Sequence, residues 1–385
     1  MDAKVAIVGG GIGGLTAALS LQRAGISVSV YERAPELREV GAGIIVSQSA
    51  MRGLEFLGVA DGVRALSGKY PEAGYHTLKQ YMTGEVLGPP VAGGNGPLRP
   101  AAMHRADLET ILVEGVSASD ADCVHLDHEF VGLEQDGAGP VRLSFKNGAT
   151  ASADAVIGAD GGASAVRSWV FGDEAVGFTG KVSYRGLIPR DKLTPEFDAM
   201  NGTYFLGPER MFLTYYVRGN EFLNVVAHSR QLGWAEEGWS IPATNAELRE
   251  LYSSFCDPVH RVIDEIPPES LFKWALRDRS PSEQWVSGRV ALLGDAAHPM
   301  LPFLGQGGNQ AIEDGTVLGR CFAASSDIDE ALARYEAARK ERGNGVQLAT
   351  RAIAEAQMSF SDPKAVTFSN TAAATYEYDP TTVPV

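Results

Sequence analysis

Four clusters of residues in this chain have the types and spacing of a chemical site. The first is Gly9-Gly-Gly-Ile-Gly-Gly14, which places Gly9, Gly11 and Gly14 in a GxGxxG pattern directly after the apolar run Lys4-Val-Ala-Ile-Val8. Without side chains, these positions allow a tight turn, close approach of the backbone to a pyrophosphate, and packing of a helix on a strand. Glu32 stands 18 residues beyond Gly14, where an acid at a strand end accepts hydrogen bonds from ribose hydroxyls. Arg33 follows it and is a candidate for the same end of a dinucleotide. The second cluster is Asp160-Gly-Gly at the end of another apolar run, and the third is Gly294-Asp295-Ala-Ala-His298-Pro299. The fourth, Gly305-Gln-Gly-Gly-Asn309, is a glycine-rich loop opening a helix. Such a loop turns free backbone N–H groups and a positive dipole end toward an anion, and Gly307, Gly308 and Asn309 are the candidates for that contact.

Positioning these residues requires a particular set of elements. Residues 4–8 read as a buried parallel strand, 15–24 as a helix stopped at Gly25, and 27–31 as the next strand, which completes a β-α-β unit. The unit alone does not separate FAD from NAD. The runs ending at Asp160 and Asp295 add two more strands, and one parallel sheet would gather all three polar ends at its carboxyl edge. Between them the composition turns aromatic, with alternating runs at 203–206, 211–217 and 221–228 joined by Gly207-Pro208 and Gly219-Asn220. That pattern predicts an antiparallel meander. Period two places Met211, Leu213 and Tyr215 on one face and Phe212, Thr214 and Tyr216 on the other, so only one of the two tyrosines can face a ligand. Residues 313–324 and 328 to about 356 have helical spacing and should cover the sheet. The charge-laced stretch 339–351 reads as a solvated face or a contact with a second subunit.

The expected fold is therefore α/β: a Rossmann-like sheet with an inserted antiparallel-sheet domain and carboxyl-terminal helices. The cofactor domain would be discontinuous, comprising 1–75, 100–178 and 270–325, with 76–99 and 179–269 forming the substrate domain and 326–385 a helical segment. At 385 residues and 44% hydrophobic content, the chain can bury a large core. Its net charge of -15 disfavours nucleic acid and anionic membranes as partners. Cys123, Cys256 and Cys321 are widely spaced and include no CxxC pair, consistent with a reducing cytoplasm. No run is apolar enough to span a bilayer. Cys123-Val-His125-Leu-Asp-His128 reads as a strand rather than a metal cluster, and Trp234, Trp239, Trp274 and Trp285 as packing residues.

Taken together, these motifs resemble the group A flavoprotein aromatic hydroxylases, the family of 4-hydroxybenzoate, salicylate and 6-hydroxynicotinate hydroxylases. The resemblance also rests on Gly41-Ala-Gly-Ile44, His104-Arg105-Ala-Asp107-Leu108 and the extension of the glycine loop to Glu313-Asp314. It implies FAD as cofactor and NADH or NADPH as a transient donor. It further implies hydroxylation of a small aromatic or hydroxypyridine-type substrate by dioxygen through a flavin C4a-hydroperoxide. Glu32 would bind the adenosine ribose, Arg105 would lie beside the pyrophosphate and ribityl chain, and Asp295 would hold the ribityl hydroxyls. Asp160 would serve both FAD and the nicotinamide donor. Tyr215 would bond the substrate, Pro299 would line the site, and His298 is either a proton relay or a packed histidine. Arg185 and Arg218 are the candidates for holding a substrate carboxylate. Ile45 and Met211 stand where the 6-hydroxynicotinate branch carries histidines. A flavin oxidase or dehydrogenase of the same fold, or a non-catalytic flavin-binding protein, stays open at this point, as does a monomer or a homodimer.

Overall fold

The computed structural model describes residues 1–37, 42–68, 76–88, 99–135, 139–172, 176–234, 236, 238, 240–359 and 375–385. Gly41 and Trp239 lie outside them.

The strand Lys4–Val8 is buried at four of its five positions because it has neighbours on both edges and its side chains pack into the apolar core. This is why it reads as a continuous apolar run and not as an alternation. It pairs in parallel with Ser27–Tyr31 on one side and with Ala155–Gly158 on the other. Val290–Leu292 extends the sheet in parallel beyond Ala155–Gly158. The ends at Val8, Gly158 and Leu292 are thus neighbours, although some 280 residues of chain separate the first from the last. Val124–His125 adds a short parallel edge beside Ser27–Tyr31. There the His125 ring stacks on Tyr31 at 4.9 Å, so its surroundings are aromatic.

A second, seven-stranded sheet contains the meander. Thr203–Gly207, Arg210–Val217 and Phe222–Arg230 pair antiparallel in succession, and the long strand Gly177–Pro189 pairs with the last of them. Thr77–Gln80 joins the far edge, parallel to Thr203–Gly207. Phe272–Asp278, beyond the boundary expected at residue 269, pairs with Gly177–Pro189 and so belongs to this sheet as well. One face of the sheet, with Phe212, Val225 and Ala227, packs on the helices Asn245–Leu251 and Asp257–Asp264. The opposite face, with Met211, Leu213 and Tyr215, turns toward the first sheet.

The chain closes with the helices Gly307–Ala324 and Ile328–Ser359, packed on each other. No helix among the described residues is long and apolar enough to cross a membrane.

Candidate active site

Between the two sheets lies a cavity of 790 Å³. Its walls come from the meander face, the hairpin strand Gly43–Val46, the segment Pro299–Asn309 and the tail residues Tyr376 and Glu377. Arg52 fixes that tail by donating to the carbonyls of Tyr376 (3.2 Å), Glu377 (3.0 Å) and Tyr378 (2.9 Å).

The glycine turn has the shape that a dinucleotide needs. Gly9 adopts φ +110°, and a Cβ there would lie 2.4 Å from the Ala159 carbonyl oxygen. A Cβ on Gly14 would lie 2.0 Å from the Gly9 carbonyl oxygen, so the helix Ile12–Arg23 sits directly on the turn. At Gly11, by contrast, a Cβ would meet nothing within 4 Å. Glu32 is held in place by the N–H groups of Gly10 (2.7 Å) and Ala34 (2.9 Å), while Arg33 is exposed beside it. The open space at Gly11 and the anchored carboxylate fit a dinucleotide cofactor. Gly11→Ala should therefore leave the fold intact and weaken cofactor binding by tenfold or more. Gly14→Ala forces an overlap costing roughly 1–3 kcal/mol. Flavin content together with thermal midpoints of the two purified variants separates these outcomes.

Asp295 also fits. Its carboxylate is exposed to the cavity, no hydrogen bond to it is formed among the described residues, and burial raises its pKa, against the pull of His298 and Arg105. A sugar or ribityl hydroxyl would supply the missing donor. Arg105 lines the same cavity, 3.5 Å from Glu109. Gly307 and Gly308 begin their helix at the cavity wall.

Asn309 lines the cavity as well, but its side chain is otherwise engaged. It donates to the carbonyls of Ile45 (2.9 Å) and Gly305 (2.6 Å) and accepts from the Ser47 N–H (2.8 Å). The amide clamps the glycine loop to the hairpin strand, leaving only its backbone to face a ligand.

Asp160 does not reach the cavity. Its carboxylate accepts from the Ser164 hydroxyl (2.5 Å) and the Val166 N–H (3.0 Å), fastening the start of the helix Ala165–Phe171. From that helix Arg167 donates to the carbonyls of Ala296 (3.3 Å) and Ala297 (3.5 Å). Asp160 therefore acts on the Gly294-Asp295 turn at second hand.

His298 is a packed histidine, which corrects its candidacy as a catalytic group. It is fully buried, lies outside the cavity lining and has its ring 5.0 Å from Trp285. Its Nε2 pairs with Asp314 at 2.6 Å. Asp314 also accepts from the Gly294 N–H (3.0 Å) and from Arg339 (2.7 Å), and Arg339 and Arg342 both reach Glu313. Arg339 is 0% exposed, so the stretch expected to be a solvated face conceals a buried ion-pair network behind the cofactor turn. Pro299, next in sequence, does line the cavity.

The meander face supplies the other wall. Tyr215 lines the cavity, whereas Tyr216 faces away and bonds Asp198 (2.8 Å). Arg185 also lines it. Its guanidinium lies 5.8 Å from the centre of the Trp274 ring and hydrogen-bonds the Tyr215 hydroxyl, its Nε has no partner, and no carboxylate among the described residues pairs with it. Arg218 is instead committed to Asp107 and lies outside the cavity lining. Ile45, Met211, Tyr204 and His228 complete this wall. Tyr204, Trp274 and His228 were not singled out from the sequence. The alternation that exposed Tyr215 also marks His228, whose Cα partner across the sheet is Met211.

Comparison with known proteins accounts for this geometry. Residues 2–350 match the family described as "FAD binding domain". The 6-hydroxynicotinate 3-monooxygenase of Pseudomonas fluorescens is 33% identical over 359 residues, covering 89% of each chain. The 3-hydroxybenzoate 6-hydroxylase of Polaromonas naphthalenivorans (strain CJ2) is 34% identical over 361 residues, 91% of this chain and 87% of that one. The crystal structure of Klebsiella pneumoniae HpxO complexed with FAD and uric acid superposes with a TM-score of 0.81 at 27% identity, covering 98% of this chain and 93% of that one. The chain belongs to the FAD binding domain family, among the group A aromatic hydroxylases, which are FAD-dependent monooxygenases drawing electrons from NAD(P)H.

Proposed function

We propose that this enzyme hydroxylates a small aromatic or hydroxypyridine-type ring that carries an acidic group, and that Arg185 selects that anion. The observation carrying this reading is a guanidinium that has no carboxylate partner among the described residues, set in an aromatic-lined cavity beside the cofactor loop. Burying a charge without its counter-ion costs several kcal/mol. A ligand carboxylate would neutralise this one and fit its fork geometry.

Gly9, Gly11, Gly14 and Glu32 would hold the adenosine half of FAD, and Arg105, Asp295, Gly307 and Gly308 the half nearer the substrate. Bound there, the cofactor supplies the redox chemistry, accepting electrons from NAD(P)H and activating dioxygen for transfer to the ring. The protein holds the ring in place and keeps water away. Tyr204 and Tyr215 are both buried, which raises their pKa values and keeps them neutral O–H donors. Tyr215 would orient the substrate together with Arg185. Pro299, Phe303 and Trp274 supply apolar walls.

The test is NAD(P)H oxidation across hydroxybenzoates, hydroxypyridine carboxylates and their uncharged analogues, with product mass and peroxide measured. Acids should stimulate turnover and gain one oxygen atom. Neutral rings working as well as acids would reject the role of Arg185, and bleaching of the flavin by a ring compound without NAD(P)H would mark an oxidase instead.

A further inference from the structure

We propose that His228 takes the proton from a ring hydroxyl of the bound substrate, and that a substrate carboxylate seated on Arg185 enables it to do so. This rests on the reading of Arg185 given above.

The sheet register sets the two groups side by side. His228 has Ser183 as its Cα partner on Gly177–Pro189, and Arg185 lies two residues further along the same face. Such diagonal neighbours stand about 7 Å apart. The imidazole lines the cavity, is 1% exposed and packs 4.8 Å from Phe303. Its Nδ1 has no hydrogen-bond partner among the described residues. The Tyr252 hydroxyl approaches from behind, but it donates to the backbone carbonyl of His228 (2.8 Å) and not to the ring. The ring itself hydrogen-bonds the Ala227 carbonyl, and a neutral imidazole with one nitrogen so engaged keeps the other as an acceptor. Titratable groups facing His228 are few. Gly177–Pro189 presents Arg185 and Lys181, the strand of His228 itself presents Arg230, the same-face positions of Arg210–Val217 are Met211, Leu213 and Tyr215, and Pro302–Leu304 presents none. Lys181 and Arg230 are both paired with Glu355, which leaves Arg185 as the cation without a carboxylate among the described residues.

Burial first, and then Arg185, hold His228 far below its ordinary pKa, against a weaker opposing effect of the Ala227 carbonyl. In the free enzyme the ring is therefore a neutral acceptor that cannot retain a proton. When a carboxylate neutralises the guanidinium, its repulsion of a proton on His228 disappears and the imidazole becomes a stronger base. The O–H bond of the substrate then breaks heterolytically. The proton passes to an imidazole nitrogen, and the electron pair stays on oxygen, enriching the ring carbons ortho and para to it. No oxidant is consumed in this step, and a ligand lacking the acid would not trigger it.

The experiment uses the FAD-loaded protein without NAD(P)H, with benzoate and hydroxybenzoates as probes. The wild type should ionise a bound hydroxybenzoate at least one pH unit below the value for the free compound, read by ultraviolet difference spectra between pH 5 and 9. His228→Gln should abolish that ionisation, bind benzoate within about threefold of wild type, and lower kcat/KM by about 100-fold or more. Should that variant fail to fold, proton uptake by the wild type on binding benzoate at pH 6, read calorimetrically in two buffers, serves instead, and its absence overturns the proposal. If benzoate binds and His228→Gln ionises hydroxybenzoate as wild type does, the role of His228 is overturned while that of Arg185 stands. If no benzoate or hydroxybenzoate binds the wild type, the Arg185 reading fails, and this inference with it.

Discussion

Arg185→Met should weaken binding of an aromatic acid by about 100-fold or more while leaving FAD content unchanged. Methionine retains an apolar stem against Trp274 and removes only the charge and its donors. Removing one member of a buried, hydrogen-bonded charge pair costs about 2–5 kcal/mol, and each 1.4 kcal/mol is tenfold in affinity. Uncharged ring ligands should bind the variant as well as the wild type, or better, because the buried guanidinium offers them nothing and its own desolvation is unfavourable. Arg185→Lys should recover only part of the loss, since an ammonium cannot present the planar fork. Perturbation of the flavin spectrum by titrated ligand measures each affinity. Binding of acids within threefold of wild type in Arg185→Met would remove this residue from the site.

The sequence revealed most where backbone requirements force particular residues. Gly9 and Gly14 are legible because a Cβ at either would strike backbone atoms within 2.4 Å, and no other residue type fits. The parallel strands are legible because burial on both faces imposes apolar runs at 4–8, 155–158 and 290–292. Tyr215 could be told from Tyr216 because a strand alternates with period two. What the sequence did not show depends on register between distant strands. Nothing local to Arg185 says that Asp107 would occupy Arg218 and leave Arg185 without a carboxylate among the described residues. Nothing local to His228 says that it pairs with Met211. Asp160 was ambiguous because a carboxylate at a strand end can serve a ligand or cap the next helix. That it fastens the next helix through the Ser164 hydroxyl and Val166 N–H shows only in three dimensions.

The helix Ile328–Ser359 misled most, and Arg339 makes the point testable. Its interleaved charges match those of a solvated helix, yet Arg339 is fully buried between Asp314 and Glu313. Against the upward push of burial, His298 and Arg339 hold the Asp314 carboxyl down at about 2. Arg339→Met leaves that carboxylate buried with the guanidinium that balances it gone, at a cost of about 3–5 kcal/mol. Asp314 also accepts the Gly294 N–H that shapes the turn presenting Asp295, so the variant should lose FAD as well as stability. Adding Asp314→Asn to Arg339→Met should restore both in part. The amide oxygen can keep its bonds to Gly294 and His298, and the neutral side chain no longer needs a cation. A second substitution that raises the thermal midpoint and the flavin content of the first is the outcome a buried, uncompensated charge requires. If the double variant is instead less stable than Arg339→Met alone, Asp314 serves the fold through its shape and hydrogen bonds, and its charge is not what Arg339 is there to balance.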